Sequence, residues 1–173
     1  VCTHGRHDTC CAELGRPLAA ALTAARPEHT WECSHIGGDR FAANLLVLPD
    51  GLCYGRVPPS RGPGLVREHL AGRVDLDHLR GRSGLAFATQ AAEWHLRHRL
   101  GLTGVHDVVL ESDHVDAGTC TAVFAVRRQR RWRVVVRVAS GPLRQLTCGS
   151  DRLRRALELD LLSIEPVDAA NAG

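Results

Sequence analysis

The sequence predicts an α+β fold, and three observations carry this prediction. Residues 12–25 and 89–100 are rich in Ala, Leu and other residues that favour helices. Residues 44–48 and 52–57 are apolar segments on either side of a Pro-Asp-Gly turn, a pattern typical of a β-hairpin. Residues 108–139 contain three further stretches with a β-rich pattern. Helices and antiparallel strands are therefore both expected.

The N-terminal half is predicted to mix short strands and helices. Val1 is expected to close a strand that begins upstream, and residues 12–25 form the first helix. Residues 30–35 alternate apolar and polar side chains as a short strand does, until a Gly-Gly pair ends the pattern. After the hairpin, a helix that begins with proline is predicted over residues 63–72.

The C-terminal half is predicted to be mainly β. A loop rich in Arg and Gly, residues 80–84, precedes the helix at residues 89–100, which a glycine ends. The predicted strands then cover residues 108–115, 119–127 and 131–139, with a fourth at residues 143–148. The last segment, residues 151–167, is expected to start as a capped helix and to pass into a strand.

Size and composition exclude several classes of protein. The chain has 173 residues, of which 44% are hydrophobic and 24% are charged, so it can form its own core and is too apolar to be disordered. No apolar run approaches the roughly 20 residues that a membrane-spanning helix needs. The net charge of +3 is too small to predict binding to nucleic acid. We therefore expect a soluble protein that binds neither membranes nor nucleic acid.

The seven cysteines indicate a reducing compartment. An odd number of Cys without a recognisable signal peptide is more typical of free thiols than of a disulfide framework, so a cytoplasmic location is expected. The chain contains no Met and begins at Val1, which predicts a processed N-terminus or a segment of a longer protein. If a first strand is missing, a homo-oligomer or a partner chain could complete the sheet.

Side chains that bind metals cluster near the N-terminus. Cys2, Cys10 and Cys11 are predicted to share one loop, and His35 and Asp39 flank a Gly-Gly turn. Both groups follow apolar strands, which would bring them to the same edge of a sheet. Thiolates favour Zn, Cu(I) or iron–sulfur centres, and imidazole or carboxylate can complete the ligand set. The spacing alone does not identify the metal.

Three segments within residues 1–57 form a specific combination: the runs CTHGRHDTCC and SHIGGDRFAAN and the hairpin LLVLPDGLCYGRV. Together they resemble the sucrase/ferredoxin-like family of thioredoxin-like ferredoxins. Beyond residue 58 the resemblance is weaker and lies in RGRSG and QAAEWHLRHRLG. The resemblance implies a thioredoxin-like [2Fe–2S] domain over residues 1–72. A helix and antiparallel strands would follow over residues 73–173, in the same domain or an appended one.

The resemblance also implies a set of cluster ligands. Characterised eukaryotic relatives use two Cys from the first loop and two His from a Gly-Gly turn, and these carry over to Cys2, Cys11 and His35. Asp39 stands where the family has its second His, and Cys10 is an additional thiol, so the fourth ligand is Asp39 or Cys10. Either residue adds a negative charge that a neutral imidazole lacks. The reduction potential should therefore rise less above the roughly −400 mV of plant-type ferredoxins than it would with two His.

The function implied is one-electron transfer, with the protein as an electron carrier rather than an enzyme. Its partners would be a reductase that donates electrons and a protein that accepts them. One alternative is a thiol-dependent redox enzyme that uses Cys10 or Cys11 at a helix N-terminus, where the helix dipole lowers a thiol pKa. Another is a cluster-based redox or iron sensor, and the simplest is a structural zinc site or a metal-free thiol loop. No role is predicted for residues 102–173.

Overall fold

The protein combines helices with two antiparallel sheets, as seen in a computed structural model that describes residues 1–6 and 8–167. The predicted α+β class is confirmed. The elements are α1 (Thr9–Ala25), β1 (Leu45–Val47), β2 (Leu52–Tyr54), α2 (Gly62–Leu70), β3 (Leu79–Arg82), α3 (Phe87–Leu100), β4 (Val108–Asp116), β5 (Thr119–Val126), β6 (Arg130–Gln145) and β7 (Leu153–Val167). No helix among the described residues is both long enough and apolar enough to cross a membrane.

The N-terminal sheet has the strand order β1-β2-β3. β1 and β2 form the predicted hairpin, with Leu45 opposite Tyr54 and Val47 opposite Leu52. α1 and α2 contribute leucines to the core of this sheet. Its buried members include Leu18, Leu22, Leu45, Leu52, Tyr54 and Leu65. The two helices and the sheet thus share one apolar core.

The C-terminal sheet is a four-stranded meander in the order β4-β5-β6-β7. In β5 every second side chain is buried, as expected when one face of a sheet is covered. α3 provides the cover, because Ala92 and Leu96 lie in the same core as Ala122 and Phe124. The described residues therefore form two apolar cores, one for each sheet.

The first sheet extends further along the chain than the sequence indicates. β3 pairs with β2 and places Arg82 opposite Leu52. Residues 80–82 therefore belong to a strand, and the loop predicted over residues 80–84 is wrong for these three residues. Backbone hydrogen bonds to β2 hold this Arg- and Gly-rich segment in a strand, whatever its side-chain pattern. The division into residues 1–72 and 73–173 stays a prediction.

The strand predicted for residues 30–35 is wrong. Among the described residues this segment makes only an isolated parallel bridge, between Cys33 and Cys2. Trp31 is 71% exposed, so the alternating pattern has no covered face to match. The segment is instead an extended connection that runs past the N-terminus of the chain.

The end of the chain is strand and not helix. β7 pairs with β6 from Leu153 to Val167, which overturns the helix expected at the start of residues 151–167. β6 itself continues to Gln145. The first residues of the strand predicted at 143–148 therefore belong to the same strand as the predicted residues 131–139 and do not form a separate one. Cross-strand pairing along two long strands outweighs the local helix signal.

A buried arginine joins the two halves of the chain. Arg97, near the end of α3, has no exposed side-chain surface, and its Nε donates to Glu93 Oε1 at 2.8 Å. Its Nη atoms donate to three carbonyl oxygens of the loop over residues 102–105. Val74 N–H donates to the same loop at 2.6 Å. Arg97 therefore fixes the loop that follows α3, and this loop contacts the N-terminal half through Val74.

Replacing this guanidinium should destabilise the fold. Arg97→Met is expected to lower the free energy of unfolding by about 3–5 kcal/mol, because Glu93 and three carbonyl oxygens lose a buried donor. Arg99→Met, on the exposed side of the same helix, is the control and should change it by less than about 0.5 kcal/mol. Urea denaturation measures both. Equal effects of the two substitutions would show that the loop does not depend on Arg97.

Candidate metal centre

Backbone pairing fixes Cys2 inside the N-terminal half. Its N–H donates to Asn44 O at 3.1 Å on one side, while on the other side Cys33 N–H donates to Val1 O at 2.9 Å. Thr3 N–H donates back to Cys33 O at 3.3 Å. Cys2 is only 1% exposed. The first residues of the chain thus hold a thiol in the interior, between two neighbouring segments.

The first turn of α1 brings Cys11 towards Cys2. The loop predicted to hold Cys10 and Cys11 is wrong at these two residues, because α1 begins at Thr9 and both cysteines are helical. Gly15 lies one turn further along, and a methyl group at this position would overlap the carbonyl oxygen of Cys2. Glycine has no side chain, so the helix can approach the Cys2 backbone closely.

A glycine turn brings His35 and Asp39 together. Gly37 and Gly38 have φ angles of +83° and +78°, a left-handed conformation that glycine adopts without steric cost. The chain folds back at this turn, and His35 Nδ1 lies 3.0 Å from Asp39 Oδ1. Asp39 is 6% exposed, whereas the His35 side chain is 30% exposed. One end of this group is therefore buried, and the other reaches the surface.

Four side chains from three segments converge at one place. The sulfurs of Cys2 and Cys11 and a ring nitrogen of His35 all lie within 4.8 Å of one another. The Cys11 thiol also donates to Asp39 Oδ1, 3.7 Å away. All four residues were candidates from the sequence, and the structure brings them together. Two thiols, an imidazole and a carboxylate suit a soft or borderline transition metal.

Burial is the largest of the effects that raise the pKa values of Cys11 and Asp39 in this cluster. Burial raises the pKa of the Cys11 thiol, and the neighbouring Cys2 and Asp39 raise it further. Burial also raises the pKa of Asp39, as does a hydrogen bond with Asp8, while His35 acts in the opposite direction. A cation placed among these donors would stabilise their ionised forms. The electrostatics therefore favour cation binding.

Arg80 and Asn44 hold the glycine turn in place, and neither is among the site residues predicted from the sequence. Arg80 Nη1 donates to Asn44 Oδ1 at 2.8 Å and to Gly37 O at 3.4 Å, while Asn44 Nδ2 donates to Gly38 O at 3.0 Å. Arg80 lies in β3, in a stretch interpreted as a loop and 43 positions from Gly37. No local pattern signals such a contact. Arg80 also interacts electrostatically with Asp39.

Cys10 lies outside this cluster. Its Sγ is 2.7 Å from Sγ of Cys148. Cys148 ends the strand predicted over residues 143–148, but it lies in the loop between β6 and β7. Burial and the nearby Cys148 raise the pKa of Cys10 to about 11. Towards Asp39, the Cys10 thiol donates to the backbone oxygen, at 3.7 Å, and not to the carboxylate. Asp39, and not Cys10, is the residue whose side chain meets His35 and Cys11.

Comparison with known proteins concerns the half of the chain that carries this cluster. A sequence model of sucrase/ferredoxin-like proteins matches residues 1–81, which are 81 of the 173 residues. The match includes α1, the glycine turn, α2 and most of the first sheet. No curated protein and no solved structure matches the chain. Residues 82–173, with the C-terminal sheet, lie outside the match.

Gly15→Ala should reverse the usual effect of this change in a helix. Replacing Gly by Ala normally stabilises a helix by about 1 kcal/mol. Here the methyl group would push α1 away from the Cys2 carbonyl, so we expect the free energy of unfolding to fall by about 1–3 kcal/mol. Urea denaturation measures the change.

Gly64→Ala in α2 is the matched control. Its methyl group would meet only the flexible ends of two arginine side chains, so this substitution should stabilise the protein. If Gly15→Ala stabilises the protein to the same extent, the close approach of α1 to Cys2 is not a constraint on the fold.

Proposed function

We propose that residues 1–81, the part that matches the sucrase/ferredoxin-like family, hold a [2Fe–2S] cluster and that the protein transfers single electrons between redox partner proteins. The ligands would be Cys2, Cys11, His35 and Asp39. The observation that carries the proposal is the convergence of two buried thiols, an imidazole and a carboxylate from separate segments. The family match over the same residues supports a redox role.

The chemistry of the donors fits such a group. Thiolate sulfur is the usual ligand of iron–sulfur clusters, and His replaces Cys in Rieske-type centres. Cys2 and Cys11 are each 1% exposed, so water has little access to the two sulfurs. When bound, the cluster supplies a centre that accepts and releases one electron. The residues around it determine how readily it does so.

Asp39 would make the ligand set more negative than that of bis-histidinyl relatives. Two thiolates and a carboxylate carry three negative charges, whereas two thiolates and two neutral imidazoles carry two. A more negative site accepts an electron less readily, so Asp39 should lower the reduction potential relative to a second His. Arg80 acts in the opposite direction, since its positive charge interacts with Asp39.

His35 would connect the centre with the protein surface. An open cleft of about 360 Å³ lies beside the segments that carry Cys2 and His35. Its lining includes His4, Arg6 and Arg16 and a single carboxylate, Glu32. This balance of charge favours an acidic surface on the partner protein. The cleft is therefore the proposed docking position for a redox partner.

A structural zinc site is the second candidate, and one observation favours it. The donor atoms of Cys2, Cys11 and His35 lie within 4.8 Å of one another. Donors around one tetrahedral ion, with bonds of about 2.0–2.3 Å, are about 3.3–3.8 Å apart. Donors on two different iron atoms are further apart, so the compact arrangement by itself favours a single ion. Analysis of metal and sulfide separates the two candidates.

A thiol-dependent enzyme is less well supported. A nucleophilic thiol must reach its substrate and benefits from a lowered pKa. Cys11 is 1% exposed and burial raises its pKa, while the pKa of Cys10 is raised to about 11. Neither thiol has the properties of an activated nucleophile.

The main test is the composition of the purified protein and the effect of Asp39 on its potential. Protein prepared without oxygen should contain about two iron atoms and two sulfides per chain and should absorb visible light. Asp39→His should keep the iron and raise the reduction potential by on the order of 100 mV, because a neutral ligand replaces a negative one. Asp39→Ala should lose iron. Potentiometric titration followed by visible absorbance measures the potential.

Cys10→Ser is the matched control and should keep the iron content and the potential of the parent protein. Loss of iron in Cys10→Ser together with full retention in Asp39→Ala would mean that Cys10 is the fourth ligand. One zinc ion per chain without sulfide would exclude electron transfer at this site and leave the structural alternative.

A further inference from the structure

The geometry points to a second redox site formed by Cys10 and Cys148, a dithiol that low-molecular-weight disulfides convert into an intramolecular disulfide bond. The pair uses none of the four residues proposed for the metal centre. The inference does not depend on which metal that centre holds. The pair exchanges two electrons, whereas the proposed cluster exchanges one.

The fold brings these two thiols together from distant parts of the chain. Cys10 is the second residue of α1, and Cys148 lies 138 positions later, in the loop between β6 and β7. Cys148 is exposed and Cys10 is half-buried, so a small molecule in solution can reach Cys148 first. The two sulfurs are 2.7 Å apart, compared with about 2.05 Å in a disulfide bond. The two sulfurs would have to approach by about 0.6–0.7 Å to form the bond.

Hydrogen bonds hold Cys148 at the start of α1. The backbone N–H of Cys10 is one of the helix-terminal donors that have no helical acceptor, and it donates to Cys148 Sγ at 3.2 Å. This hydrogen bond holds the Cys148 sulfur against the first turn of the helix. Asp8 Oδ1 accepts from the Cys148 thiol at 3.1 Å and from Gly149 N–H at 2.6 Å. Asp8 therefore anchors the loop that carries Cys148.

The reaction balances with a small disulfide as the oxidant. The Cys148 thiolate attacks one sulfur of the small molecule, forms a mixed disulfide and releases a small thiolate. Cys10 then attacks the Cys148 sulfur and releases the second small thiolate. The Cys10–Cys148 bond forms as the bond of the small disulfide breaks, so two electrons leave the protein. The two protein protons end on the two released thiols.

The bond would attach the C-terminal sheet to the helix that carries Cys11. Oxidation closes a long covalent loop through the chain, which restricts the unfolded state and stabilises the folded one. It also fixes the start of α1, where Cys11 immediately follows Cys10. Reduction releases the loop between β6 and β7 from the helix.

Mass spectrometry of the intact chain and its tryptic peptides tests the inference. The protein is incubated with oxidised glutathione, remaining thiols are blocked, and the digest is analysed without reduction. We expect the peptide of residues 145–152 to be linked through Cys148 to Cys10 in the peptide of residues 7–40. Two free thiols per chain should be lost, and the midpoint of thermal unfolding should rise until dithiothreitol is added. Cys10→Ser should instead trap glutathione on Cys148.

Cys33→Ser removes an exposed thiol outside the pair and is the matched control, which should keep both the cross-link and the thermal shift. The inference is overturned if the cross-link persists in Cys10→Ser, or if Cys10 and Cys148 both stay free in the parent protein. It is also overturned if the protein holds a zinc ion that Cys148→Ser removes and Asp39→Ala leaves in place. In that case Asp8 and the two sulfurs form a metal site.

Discussion

The contact between α1 and the segment that carries Cys2 is the constraint on which the candidate metal centre depends. Gly15 leaves room for the Cys2 carbonyl, so the first turn of the helix can place Cys11 beside Cys2. Only then do His35 and Asp39, which the glycine turn brings to the same place, complete a set of four donors. A wider separation of helix and segment would leave two buried thiols without a common partner.

Helix geometry explains why two adjacent cysteines have different surroundings. Successive residues of an α-helix are rotated by about 100°, so Cys10 and Cys11 project in different directions. Cys11 faces the interior and meets Cys2, whereas Cys10 faces the loop that carries Cys148. The proposed one-electron and two-electron sites are therefore neighbours in the sequence but separate in space. Their common support is the first turn of α1.

The C-terminal half supports the N-terminal half, although it lies outside the family match. Arg97 holds the loop over residues 102–105, which in turn accepts a hydrogen bond from Val74. At the other end, the loop after β6 reaches the start of α1, where Gly149 N–H donates to Asp8. The long β6-β7 hairpin thus has a structural role at the candidate site that its sequence does not indicate.

The sequence by itself determined the α+β class, the hairpin and the candidate donors Cys2, Cys11, His35 and Asp39, because each has a signal within a few neighbouring residues. It could not choose between Asp39 and Cys10, since that choice depends on where α1 begins and on the direction in which each side chain projects. The contacts of Arg80 and Cys148 could not be predicted, because their partners lie 43 and 138 positions away in the sequence. Strand pairing likewise decided β3 and β7 against their local patterns. Such contacts arise only when the chain folds, since hydrogen bonding and packing between distant segments override preferences that act along a few residues.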